Sequence, residues 1–399
     1  MNTKALMSSV LLSCWVIAPA SALEVKLGVL TDLSGVYADL AGEGSIQAAR
    51  MAVEDFKGSE RGINVTITSA DHQNKPDVAS SIARRWVNSD GVNAVVDVPT
   101  SSAALAVNEI VRDANALHLN STGGTSDLTG KACSPHTVHW TYDTWSVANS
   151  TAKAVMDTGL KSWFFITADY AFGHAIERDA SAFVETHGGQ VLGSIRHPFP
   201  NQDFSSFLLQ AQSSGAQVIG LANATSDMQN SIRQASEFGI KEGGQSLAGL
   251  LVFLPDVHAM GLQAAQGLYL TESFYWDLND GTREWSKRFA DARGGNMPSM
   301  VQAGVYASVL HYLKAVEASE STDADTVIAK MKEMPTDDPL FGQGKIREDG
   351  RKIHDMYLFQ VKTPEASTGP WDYYEVVATV PAEQAFRPLD QGECPLVNN

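Results

Sequence analysis

Cysteine is nearly absent, with three in 399 residues, so neither a thiolate metal centre nor a dense disulfide scaffold is available. No cysteine pair or histidine cluster has the spacing of a metal site, so no metal or other cofactor is expected. Basic residues are also scarce. Lys and Arg total 29 against 46 Asp and Glu, and the formal net charge of −17 repels phosphate backbones and anionic membranes. Nucleic acid is therefore not an expected partner. After the first residues no apolar run approaches the roughly 20 residues that cross a bilayer. Catalytic signatures are missing as well. Gly124 to Lys131 has one residue too many between its glycines for a phosphate-binding loop, and Ala132 stands where the metal-binding Ser or Thr belongs. Gly42-Glu43-Gly44 lacks the third glycine of a dinucleotide site, and there is no G-x-S-x-G elbow or H-E-x-x-H helix. His118, His136, His139 and His174 have no triad pattern around them and are expected in core or surface roles. The chain does not read as an enzyme.

What is present begins at the N-terminus. A basic start ending at Lys4 precedes an apolar stretch from Ala5 to Ile17, and Ala20-Ser21-Ala22 gives the small-x-small pattern of signal-peptidase cleavage. Residues 1–22 thus read as an export signal, with a periplasmic mature protein. Two other readings exist for this stretch. It is short for a membrane anchor, and Leu12-Ser13-Cys14 resembles a lipoprotein signal, although apolar Trp15, Val16 and Ile17 follow where a polar tether belongs. Once the leader is removed, Cys133 and Cys394 are left as a natural pair in an oxidising compartment. Their bridge would close a loop of roughly 260 residues, worth up to about 5 kcal/mol on the chain-entropy model.

The rest is 44% hydrophobic and 19% charged, ample for a two-domain globular protein. Strand-like and helix-like segments alternate. Val25 to Leu30, Ile63 to Ser69, Ala94 to Val98 and Ala116 to Leu119 read as strands, and helical patterns cover Ser45 to Phe56, Pro76 to Ser89 and Ser101 to Asn115. From Thr144 a second series begins: helices at Trp145 to Asp157, Phe172 to His187, Phe204 to Ser213 and Ser226 to Phe238, with strands at Trp163 to Thr167, Gln190 to Arg196, Val218 to Leu221, Gly249 to Phe253 and Gly267 to Thr271. Repeated βα units imply parallel sheets with helices on both faces, and two such series imply two lobes.

Ligands of parallel α/β sheets gather where strands end and helices begin. Three such junctions are rich in small hydroxyl residues: Asp97 to Ser102, Asn120 to Thr125, and Asn223 to Ser226. Ser and Thr there act most often as plain N-caps. Three at equivalent strand ends favour a site for an anion such as a carboxylate. Tyr37, Tyr170, Phe172, Tyr275 and Trp276 also follow strand ends, and rings there could enclose an apolar or aromatic ligand body.

Val25 to Leu30, Leu33-Ser34-Gly35-Val36-Tyr37-Ala38, Gly42-Glu43-Gly44, Ala48 to Asp55, Ser121 to Thr129, Asp169 to Gly173 and Ile232 to Ala235 resemble, in order and spacing, the leucine/isoleucine/valine-binding proteins of branched-chain-amino-acid-type ABC importers. The resemblance covers nearly the whole mature chain. It implies an α/β fold of two Rossmann-like lobes, the periplasmic binding protein type I architecture, joined by a three-crossover hinge near Tyr142-Asp143, Thr271-Glu272 and Glu348 to Gly350. The expected lobes are 23–142 with 272–349 and 143–271 with 350–383, followed by a tail, 384–399. Carried over by position, Ser101, Ser102, Gly123 and Thr125, with Ser121 beside them, match the carboxylate-holding parts of the first lobe. Phe172 falls at a ligand-touching tyrosine of the family, with Tyr170 beside it. Thr225 or Ala224 falls at a second such tyrosine, and Asp256 lies loosely near the acid that binds an ammonium. Tyr37 and Tyr275 complete the expected ligand-binding set.

Loss of the tyrosine position, and the absence of any Arg or Lys from the site, turn the expectation toward an aromatic or other small organic acid held by N–H and O–H donors. A branched-chain amino acid is the alternative. The expected partner is a membrane permease, with the binding protein itself a monomer. A ligand-sensing partner of a receptor and an exported hydrolase are the rival classes.

Overall fold

The computed structural model describes residues 22–397; the expected leader, apart from Ala22, lies outside the described residues. Strands β1 (Leu23–Thr31), β2 (Ile63–Asp71), β3 (Ala94–Asp97), β4 (Leu117–Asn120) and β5 (Thr137–His139) form one all-parallel sheet in the order β2-β1-β3-β4-β5. Helices α1 (Gly42–Phe56), α2 (Pro76–Arg85) and α3 (Ser101–Arg112) make the crossovers. After α4 (Thr144–Met156) a second parallel sheet, β7-β6-β8-β9, is built from β6 (Ser162–Ala168), β7 (Gln190–His197), β8 (Val218–Ala222) and β9 (Ser246–Gly249). Its helices are α5 (Ala171–Thr186), α6 (Ser205–Ser213) and α7 (Thr225–Glu237). The central strands β3, β4 and β8 are buried on both faces, as parallel strands between helix layers must be.

The chain then weaves between the two halves. Helices α8 (Leu254–Met260) and α9 (Leu262–Ala265) lead to β10 (Tyr269–Glu272), which pairs antiparallel with β14 (Met356–Val361), and β14 with β15 (Tyr374–Val380). Between them come α10 (Asp280–Ala292), α11 (Met300–Ser319) and α12 (Ala324–Glu333), then the short strands β11 (Thr336–Asp338), β12 (Gly342–Ile346) and β13 (Lys352–Ile353). Helix α11 is buried on nearly every side and packs on α1 of the first half. Its start is fixed by a capping box in which Ser299 and Gln302 exchange hydrogen bonds. A last turn of helix, α13 (Ala382–Ala385), precedes the tail. Among the described residues, no helix is long and apolar enough to cross a membrane.

Three expectations about elements change. The apolar run ending at Phe253 is not a strand: β9 stops at Gly249, and Leu250 to Phe253 is an irregular segment buried by tertiary packing. Pro255 sits in the first turn of α8, a helix the sequence reading overlooked. The helix from Pro76 ends as α-helix at Arg85 and continues as one wide π turn, Trp86–Asp90, closed by Gly91 at φ 69°. Burial of Trp86 within the core of the first half holds that turn in place.

Cys133 and Cys394 form the expected disulfide. Arg351 is fully buried and donates to the carbonyls of Trp140, Thr141 and Tyr142, so one cation satisfies three consecutive backbone oxygens where the chain leaves the first sheet.

Candidate binding cleft

The carboxyl ends of the two parallel sheets face each other across a small cleft. The space is narrow, about 10 Å³, partly open to solvent, and lined by Tyr37, Thr100, Ser101, Thr122, Gly124, Tyr142, Tyr170, Phe172 and Leu251. None of these side chains is charged.

On the first half the wall is polar. The turn from β3 into α3 carries positive φ at three non-glycine residues: Asp97 at 79°, Val98 at 64° and Thr100 at 66°. Such backbone costs about 1–3 kcal/mol per residue and clusters at functional sites. The turn caps α3 through the Thr100 hydroxyl, which accepts from Ala103 N. The N–H groups of Ser101 and Ser102 point out of the first helical turn, and no acceptor takes them among the described residues. The Ser101 hydroxyl oxygen accepts from Thr125 N at 3.0 Å, leaving its own hydrogen for a ligand. Asp97 anchors the turn from behind. It is buried, accepts from Thr31 and Thr122, and burial pushes its pKa up to about 6. Gly124 admits the ring of Tyr142, since a Cβ there would stand 2.9 Å from the ring. The Tyr142 hydroxyl donates to Thr122 O at 2.9 Å.

The second half supplies an apolar wall. Phe172 opens α5, and Leu251 enters from the segment between β9 and α8. Tyr170 stacks on Phe199, with ring centroids 4.4 Å apart, and its hydroxyl meets that of Tyr37 from the first half at 2.5 Å. Burial raises both phenol pKa values, so the pair stays neutral. Tyr37 is placed by Asp32, whose carboxylate accepts from Gly35 N, Tyr37 N and Asn74 Nδ2 and so shapes the loop after β1. A second contact between halves lies outside the cavity. Arg178 on α5 reaches Asp127 and Ser126, while buried Asp179 accepts from Ser126 and Thr144.

Of the residues expected in the site, Tyr37, Ser101, Tyr170 and Phe172 come together here, and Ser102 does not line the cavity. Gly123 N donates to Asn120 Oδ1, and the Thr125 hydroxyl accepts from Asp127 N, so both brace the wall from behind. Ser121 is buried under α11, its hydroxyl close to Gly304. Thr225 begins α7 at φ 51° with its hydroxyl unpartnered, and it does not line the cavity. Two expected residues have structural partners outside the cavity lining. Asp256 caps α8: its oxygens accept from Phe253 N and Gln229 Nε2. Tyr275 lies in the core of the second half, packed on Phe359 and Tyr374, with its hydroxyl donating to Trp371 O. Thr122 lies in the hydroxyl-rich junction the sequence offered, whereas Tyr142, Phe199 and Leu251 were overlooked as site residues. The histidines take structural roles: His136 bridges Val111 O and Asp325, and His118 is buried, its pKa lowered to about 3 by burial. No group of three or more potential metal ligands occurs among the described residues.

Two parallel sheets facing each other across a narrow cleft have the form of a two-lobed ligand-binding protein. Residues 24–369 match the periplasmic binding protein family, and the chain belongs to it. It is similar to a periplasmic binding protein of Burkholderia mallei, with 48% identity and a TM-score of 0.91 over 94% of this chain and 99% of that one. A branched chain amino acid ABC transporter periplasmic ligand-binding protein of Burkholderia xenovorans is 42% identical, with a TM-score of 0.83 over 93% and 99% of the two chains. A Leu/Ile/Val-binding protein homolog of Brucella suis is 26% identical over 355 residues, 86% of this chain and 89% of that protein. The chain is thus a ligand-binding protein of the periplasmic binding protein family and not an enzyme.

Proposed function

We propose that this protein captures a small organic acid with an aromatic or other apolar body and delivers it to an ABC permease. The observation that carries the reading is the asymmetry of an uncharged cavity. Donors at the start of α3 suit a carboxylate, and the facing wall of Tyr170, Phe172 and Leu251 suits a ring. An α-amino acid would bury its ammonium with no carboxylate lining the cavity to meet it. A micromolar dissociation constant needs only about −8 kcal/mol, within reach of a few charge-assisted hydrogen bonds and one buried ring. Isothermal titration with benzoate, 4-hydroxybenzoate, phenylacetate and leucine tests this. Heat from an aromatic acid and none from leucine is the expected result; the reverse would sink it. Binding of a branched-chain amino acid is the second reading, favoured by the names of the Burkholderia xenovorans and Brucella relatives.

Capture would proceed by hinge closure, because a ligand touching both walls binds the closed form better than the open one. The lobes proposed are 23–142 with 272–349 and 143–271 with 350–383. Pairing of β13 with β12, and the bridge of Arg351 to His139, support a third passage a few residues later, at His354-Asp355.

A further inference from the structure

After β15 the chain returns to the first half. Strands β14 and β15 belong to the second half, where Phe359, Val361 and Tyr374 share a core with Ile166 and Ile219. Ala382 N donates to Asp355 Oδ1, which ties this returning segment to the neighbouring passage at His354-Asp355. Beyond it Phe386, Arg387, Gly392 and Cys394 contact the first half. The Phe386 ring, 2% exposed, lies 4.1 Å from the buried guanidinium of Arg351, the same group that grips the carbonyls of residues 140–142. Arg387 Nη2 donates to Ser126 O at 3.0 Å, and Arg387 O accepts from Arg347 at 2.8 Å. The tail lies so close to Gly130 that a Cβ there would stand 2.6 Å from Arg387 and 2.7 Å from Gly392 O. Cys394 then bonds covalently to Cys133.

We propose that residues 381–394 form a fourth, disulfide-anchored strap between the lobes that limits how far the cleft opens. The proposal rests on the two-lobed hinge reading but not on any ligand. Three passages alone let the lobes rotate about a line through them, whereas a fourth strand fixed at both ends restricts that rotation from one side. A bond that only stabilised the fold would change melting and leave the opening unchanged. The discriminating measurement is therefore the ligand-free distance between lobes. Spin labels attached at Lys75→Cys and Gln202→Cys, exposed positions just beyond the carboxyl ends of β2 and β7, report it in a chain beginning at Leu23. Pulsed electron spin resonance should show the distance lengthening by several ångströms and broadening when Cys133→Ser and Cys394→Ser are introduced together. Because Cys133 is fully buried, Cys133→Val with Cys394→Ser is the second variant if the serine pair folds poorly. An unchanged ligand-free distribution in the folded variant would overturn the strap. Absence of heat in the titration would instead bear on the ligand class, so the two failures are separate.

Discussion

The two walls of the cleft are built by the same device, a strand ending in a loop that starts a helix, yet they differ in chemistry. At the β3–α3 junction the backbone is strained, hydroxyls surround it, and N–H groups are left open. At the β6–α5 junction the loop offers rings: Tyr170, which makes no side-chain cap, and Phe172. A wall of oriented donors fixes the polar end of a ligand, and a wall of rings rewards burial of its body with little directional demand. On the proposed function, the difference would divide recognition between the halves, and full affinity would require closure.

The strongest way to break this division is to charge the apolar wall. Leu251→Asp should weaken binding of an aromatic acid by roughly 100-fold or more, about 3 kcal/mol, because a buried carboxylate would face the ligand without a partner. Titration calorimetry on the folded variant reads the effect, and unchanged affinity would mean that this wall does not touch the ligand. Removing a donor from the polar wall comes next. Ser101→Ala deletes a hydrogen bond to a charged group, so a loss of about 1.5–3 kcal/mol, roughly 10- to 100-fold, is expected. Tyr170→Phe keeps the ring stacked on Phe199 and removes only its hydroxyl contact to Tyr37. Affinity should fall no more than about tenfold by the net worth of one neutral hydrogen bond, about 0.5–1.5 kcal/mol. A larger drop would make the hydroxyl, not the ring, the contribution of the second half.

Much of the fold could be read from the sequence because βα alternation is a local pattern, and most expected strands and helices lie within a few residues of those observed. Short pieces set by tertiary pairing could not be read. Thr336–Asp338 is a strand of sequence TDD that exists because β12 lies beside it. Leu250 to Phe253 has the composition of a strand, and its apolar side chains serve the core and the cleft instead. The polar wall was legible because hydroxyl-rich turns advertise helix starts. Asp256 was ambiguous because its place in the first turn of α8, after Pro255, marks a capping residue as readily as a ligand-binding acid. Tyr142 and Leu251 had no local signature, and the burial of Arg351 runs against what its charge suggests.

The smallest expected effect tests whether the region behind the walls is kept neutral. Glu272, at the end of β10, is buried and accepts from the Tyr374 hydroxyl at 3.0 Å; burial pushes its pKa up to about 8, and the charge of Asp256 adds to the rise. A folded pKa raised above the unfolded one means that the native chain keeps a proton which the unfolded chain releases. The contribution of this group to stability is therefore full below the unfolded value, declines as pH rises through that window, and levels off above about 8. Glu272→Gln keeps an acceptor for Tyr374 and cannot ionise. Its melting temperature relative to wild type should rise by a few degrees between about pH 5 and pH 8, with ligand affinity unchanged because Glu272 does not line the cavity. Thermal unfolding of both proteins across that range checks it. A pH-independent gap would mean that Glu272 is ionised in the native state and that the charge-free zone ends at the cavity lining.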